Sequence, residues 1–238
     1  LISAVCFKGG YIAFEVPADF KEGNAVIAAK DAKGSVLWSW HIWLTDKPEG
    51  QTYFNNAGIV MDRNLGATSA TPGDAGALGL LYQWGRKDPF VRPVDYRFTS
   101  NADQMIYSGN GSNIRIQYVD GQTEGVGTYE YTVEHPMSFV KGSEENDYDW
   151  LYNSHDNTLW SATTKTINDP CPRGWRIPDG AVFTAFDIAE EEDAAPSADV
   201  NNMYGWHLVD ATTGTKIFMP GAGRRSFETG ILTNINNY

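Results

Sequence analysis

Alternation of apolar and polar positions dominates the first 46 residues. In Tyr11–Val16 the residues Ile12, Phe14 and Val16 fall on one face, the period of two expected of a strand. A second apolar run, Ala25–Ala29, leads into the short polar connection Lys30–Gly34, and Val36–Trp43 then returns, so the stretch reads as a β-hairpin. The return strand puts Trp38, Trp40 and Ile42 on one face and Leu37, Ser39, His41 and Trp43 on the other. Aromatics on both faces predict a strand held between two layers. The alternate tryptophans also suit a sugar-stacking platform, although burial is the commoner fate of large aromatics.

Lys47–Gly50 is a polar break and the expected domain boundary. Beyond it, Ile59–Met61 reads as a short strand. Ala77–Trp84 places Leu78, Leu81 and Tyr82 at i, i+3 and i+4, which predicts a two-turn helix stopped by Gly85, weakened by about 1 kcal/mol at Gly79. Residues 91–157 lack a sustained period and read as a long, loop-rich insertion with short β-like pieces at Ile114–Val119 and Tyr129–Val133. Asn168–Asp179 follows, with three prolines, Cys171, Gly174 and Trp175 in twelve positions: a rigid corner, not a strand or helix interior. Asp179 is placed to cap a second helix carrying Val182, Phe183, Phe186 and Ala189 on one stripe. Trp206–Asp210 and Thr215–Met219 then form a second hairpin, and Pro220–Arg225 a tight basic turn. The fold class expected is α+β: a β-rich N-terminal segment (1–46), then a domain (47–238) with two helices and short antiparallel strands.

Composition narrows the function. With 42% apolar and 13% aromatic residues over 238 positions the chain can bury a real core. A net charge of −12, from 30 acidic against 18 basic side chains, argues against nucleic acid and against anionic membranes. No apolar run approaches the roughly 18 residues of a transmembrane helix, so no membrane-spanning segment is expected.

Candidate chemistry is sparse. The histidines, His41, His135, His155 and His207, are dispersed and form no metal-binding spacing. A hydrogen-bonded core position is the expected role of His41. Cys6 and Cys171 could pair, stay reduced, or bond outside the chain, and neither has a neighbouring histidine to make it a nucleophile. No catalytic constellation emerges, and the chain is not expected to be an enzyme. Glu144–Trp150 gathers acids beside aromatics, which makes Asp147, Asp149 and Trp150, with the nearby Asp156, candidates for ligand contacts. Oxygen-rich spacing of this kind suits calcium, yet the glycine-containing loop of an EF-hand is absent and a solvated acidic loop is the commoner meaning. Arg224 and Arg225 are candidates for clamping an acidic sugar or another carboxylate.

Three stretches, Ile59–Thr68, Gly79–Pro89 and Asp169–Pro178, resemble the Fibrobacter-type major paralogous domain of bacterial surface lipoproteins and fimbrillin-like tip proteins. Gly23–Ala29 with Leu37–Asp46 is similar to the end of the β-sandwich-like domain that precedes it there. The resemblance implies a C-type-lectin-like fold, with Trp84 in the first helix, Cys171 and Trp175 in the corner, and Phe183 and Phe186 in the second helix. It further implies an extracellular, surface-attached protein that adheres to a host or microbial glycan or protein ligand. A structural fimbrial subunit completed by strand addition from neighbouring subunits is the alternative. It carries over no ligand residues, because the Glu-Pro-Asn and Trp-Asn-Asp triplets of calcium-dependent lectins are missing. The family's closing strands and second cysteine would follow Tyr238, so the domain is expected to be truncated there and Cys171 to lack its partner. Formylglycine-generating enzymes share the broad fold, but their paired active-site cysteines have no counterpart near Cys171.

Overall fold

A computed structural model describes residues 1–53, 56, 58–92, 106–152, 155–184, 187–188, 205–209 and 216–233. The architecture is mixed and strand-rich, built from small sheets and, among the described residues, one α-helix. In chain order the strands are β1 (Ala4–Lys8), β2 (Tyr11–Glu15), β3 (Gly23–Lys30), β4 (Val36–Leu44), β5 (Gly50–Tyr53) and β6 (Gly58–Met61), pairing as three antiparallel hairpins. Next come β7 (Ile106–Tyr107) and β8 (Asn113–Ile114), then β9 (Gln117–Asp120), helix α1 (Tyr129–Glu134) and β10 (Ser138–Lys141). The pair β9–β10 is parallel, with α1 between its strands in sequence. A three-stranded antiparallel sheet of β11 (Asp187–Ile188), β12 (Gly205–Val209) and β13 (Lys216–Pro220) follows, and β14 (Arg224–Arg225) pairs with β15 (Leu232–Thr233).

The hairpin β3–β4 forms where alternation placed it. Asp31 fixes its turn by accepting the amides of Lys33 and Ser35, and Gly34 takes a φ of 90° there. The two faces of β4 are covered unequally among the described residues. Ser39 is buried against Asp88, whereas Trp40, on the opposite face, is 37% exposed. The Ser39 face of the hairpin docks on residues 66–88 through directed polar contacts, while on the other face Lys87 Nζ lies 4.5 Å from the Trp38 ring centre. Asn24 donates to the Gly66 carbonyl at 2.8 Å and Trp43 Nε1 to that of Ala67 at 3.0 Å. His41 lies between Asn24 Oδ1 (2.9 Å) and the Tyr82 hydroxyl (3.1 Å), a hydrogen-bonded core position.

Burial lowers the His41 pKa from 6.5 to about 4, against an opposing pull from Asp88. The unfolded chain therefore takes up a proton near pH 6.5 that the folded chain refuses until about pH 4. Stability should be full above pH 6.5 and fall progressively down to pH 4, by at most about 3 kcal/mol from this group. Thermal melts of the wild type and His41→Gln across that range should show a shallower slope in the variant. Parallel slopes would remove His41 as the cause.

Neither expected helix forms among the described residues. At 77–84 the chain makes only a 3-10 turn, Ala75–Leu78, capped by Asp74. Gly79 then adopts φ 71°, Leu80 donates to the Leu65 carbonyl, and Leu81 and Phe90 bridge through paired backbone hydrogen bonds. A Cβ on Gly79 would come within 2.7 Å of both Asn64 Cβ and Leu65 O. Close packing on 64–65 thus outweighs helical period, and Trp84 lies in a loop. After Asp179 a second 3-10 turn, Gly180–Phe183, ends at Thr184 with ψ 153°, and the chain is extended again at 187–188. Phe186 and Ala189 lie outside the described residues.

The helix that does form was expected as a strand. Thr128 caps it by accepting the Tyr131 amide at 3.2 Å, Glu130 sits in the first turn, and Thr132 is buried. Alternating Tyr129, Tyr131 and Val133 imitate a strand, but the cap and packing against β4 prevail.

The corner at 168–179 is rigid for a reason spacing did not reveal. The fully buried Asp169 carboxylate accepts the amides of Cys171 (2.8 Å) and Ile177 (3.1 Å) and pairs with Lys165 at 3.0 Å. Tyr129 donates its hydroxyl to Asn168 Oδ1 at 2.5 Å, tying the corner to α1. Cys6 and Cys171 are both free thiols. Cys171 is 8% exposed, and burial together with Asp169 pushes its thiol up to about 12, so it stays protonated and unreactive.

Apolar clusters hold the remainder together, among them Leu78 packed on Phe218 and Ala222. Tyr53, Val182, Leu208 and Ile217 join β5 to β12 and β13. Val140, Trp150, Leu151 and Leu159 pack under α1, and Phe90, Ile116 and Phe139 lie beside β9 and β10. No helix among the described residues is long and apolar enough to cross a membrane.

Candidate functional site

Three distant stretches meet around a cleft of about 390 Å³: residues 81–84, residues 142–155, and residues 223–227. A backbone bond ties the second stretch to the third, from the Gly142 amide to the Phe227 carbonyl at 3.0 Å. Gly142 is needed there, since a Cβ would fall 2.4 Å from the Tyr148 carbonyl oxygen.

The acidic loop forms one wall. A 3-10 turn, Glu144–Asn146, is followed by Asp147 and Tyr148, both left-handed, with φ values of 49° and 66°. A tyrosine at positive φ is a strained choice, held here by a bond from its amide to the Ser143 carbonyl at 2.8 Å. The result turns the Tyr148 ring outward, 55% exposed, with its edge against Phe227 at 4.6 Å. The Asp147 carboxylate is exposed and makes no hydrogen bond or ion pair among the described residues.

Trp150 forms the floor. It is 4% exposed, and its indole N–H donates to the Trp84 carbonyl at 2.9 Å. Trp84 itself is 39% exposed, stacked on His155 at 5.8 Å and edge-on to Trp160 at 5.0 Å. His155 Nδ1 meets Asp149 Oδ2 at 2.6 Å while its Nε2 meets Asn157 Oδ1 at 2.9 Å, so the imidazole is fixed from both sides.

The opposite wall is β14. The Arg225 guanidinium turns into the protein, donating to the carbonyls of Gly230 (2.8 Å) and Val91 (2.7 Å) and to the Tyr118 hydroxyl (3.3 Å). Arg224 lies on the cleft side, exposed, and its guanidinium makes no hydrogen bond or ion pair among the described residues.

Asp147, Asp149, Trp150, Arg224 and Arg225 therefore line one cleft. Asp156 does not: its carboxylate caps the amide and hydroxyl of Thr158, which hold its pKa below the usual range. Sequence reasoning missed Trp84, His155 and Phe227 as lining residues. Tyr148 could have been found, because it sits between two of the selected aspartates, whereas nothing local marks Phe227. Among the described residues no group of three His, Cys, Asp or Glu side chains is arranged to hold a metal ion.

A second cavity, of about 220 Å³, is lined by Ile59, Met61, Cys171, Trp175, Phe183 and Ile217, among others. Its wall also carries Gln51, Asp62, Arg63, Asn64 and Arg176, and the Arg63 guanidinium is already engaged by Asp62 and Asp46. No family model, curated protein or solved structure matches the chain.

Proposed function

We propose that the chain is a cell-surface adhesion module, displayed outside the cell, that binds a glycan in the cleft between the acidic loop and β14. One observation carries the reading: two partly exposed aromatic rings, Trp84 and Tyr148, share a cleft with an unengaged carboxylate and an unengaged guanidinium. Sugars offer an apolar ring face to stack and hydroxyls to bond, and that combination of groups serves both. The resemblance to the Fibrobacter-type major paralogous domain, with its lectin-like fold and surface context, supports it. No catalytic role is proposed: among the described residues the Asp149–His155 pair meets Asn157, the Leu151 amide and the Trp84 ring.

A glycan array probed with the purified chain should give a restricted set of positives that disappear in Tyr148→Ala at unchanged melting temperature. A uniformly blank array sinks the glycan reading. The alternative, a structural fimbrial subunit completed by strand addition, draws on the hairpin β1–β2, where Val5, Phe7 and Phe14 share an exposed face. It requires the isolated chain to melt without cooperativity.

A further inference from the structure

We infer that the cleft selects sugar acids, with Arg224 receiving the ligand's carboxylate and Asp147 accepting its hydroxyls. This rests on the glycan reading and narrows it to one ligand class.

The two arginines of β14 have divided roles. Alternation along the strand sends Arg225 inward, where three acceptors fix its guanidinium. Pairing with β15 and that anchoring hold the neighbouring backbone, so Arg224 projects from a fixed support. Its fork of donors matches a carboxylate in two parallel hydrogen bonds, which no neutral hydroxyl reproduces.

The carboxylates across the cleft do not satisfy it. Asp149 is engaged by His155 and by the Leu151 amide, and no ion pair joins Asp147 to Arg224 although both line the cleft. A cation and an anion that share a cavity without meeting leave room for a ligand bearing the complementary groups at its two ends. A sugar acid has them: a carboxylate at one end, hydroxyl donors at the other, and a ring face between for Tyr148 or Trp84.

The net charge of −12 repels an anion at long range. The preference must therefore come from contact, expressed in slower dissociation and not in faster association.

The test is titration calorimetry of the whole chain with two matched pairs: trigalacturonate against its fully methyl-esterified form, and sialyllactose against lactose. In at least one pair the acid should bind about tenfold tighter than its neutral partner, the scale of one charge-assisted contact; which pair shows it identifies the source of the acid. Arg224→Gln should abolish that preference, bringing acid and neutral partner level, with an unchanged melting temperature. Arg224→Lys should restore only part of it. Equal binding of acid and neutral forms in both pairs overturns the inference and leaves the glycan reading standing. A preference that survives Arg224→Gln also overturns it. Absence of binding by all four probes, with a blank glycan array, overturns both.

Discussion

Replacing Arg86 with alanine should destabilise the protein by about 3–5 kcal/mol, the range for breaking a buried charged network from one side. Arg86 is 2% exposed and holds separate parts of the fold together. Its guanidinium donates to Gln83 Oε1 and the Ser138 carbonyl at 2.7 Å and to the Pro136 carbonyl at 3.4 Å, and it lies 4.9 Å from the Phe90 ring centre. Burial lowers its pKa to about 10, opposed by Asp88 and Tyr131, so it remains charged at neutral pH. Asp88, equally buried, accepts from Ser39 at 2.7 Å and pairs with Lys87 at 2.7 Å, which places the N-terminal hairpin within the same network. Alanine would strand two carbonyls, remove positive charge facing Asp88, and leave a void beside Phe90. Urea denaturation measures the loss. Lysine should recover only part of it, because a point charge cannot reach the separate acceptors at once. A cost below about 1 kcal/mol for Arg86→Ala would mean the network relaxes around the gap, contrary to the general expectation for buried charge.

That network also explains what the sequence concealed. The hairpins β3–β4 and β12–β13 were legible because alternation is a local property, and a two-stranded pair needs little else. Helical period at 77–84 was present but did not decide the outcome. Leu80 and Leu81 find backbone partners in Leu65 and Phe90, and Gly79 leaves the helical region to allow it. Such partners are set by tertiary packing, which a window of residues does not contain. The same holds in reverse at α1, where two tyrosines and a valine at alternate positions read as a strand until Thr128 is seen as a cap. Acidity beside aromatics drew attention to the 147–150 loop, and consecutive arginines to 224–225. Their meeting in one cleft depends on the Gly142–Phe227 bond, across 85 residues of chain, and on the inward turn of Arg225, neither of which any local pattern encodes.

Trp150 tests whether fold and site can be separated. Trp150→Ala should cost about 3–5 kcal/mol, because a fully packed indole leaves a large cavity. The ring sits with Val140, Leu151 and Leu159, and its N–H satisfies the Trp84 carbonyl at 2.9 Å. Trp150→Phe keeps most of the packing and loses the hydrogen bond, so it should cost only about 1 kcal/mol beyond the lost volume. Its effect on binding should nevertheless be the more informative. With the Trp84 carbonyl released, the segment carrying the exposed Trp84 ring loses its tie to the floor, and glycan affinity should fall while the melting temperature changes little. The opposite pattern, Trp150→Ala as stable as the wild type yet devoid of binding, would make Trp150 a contact residue and show that the cleft floor does not depend on it.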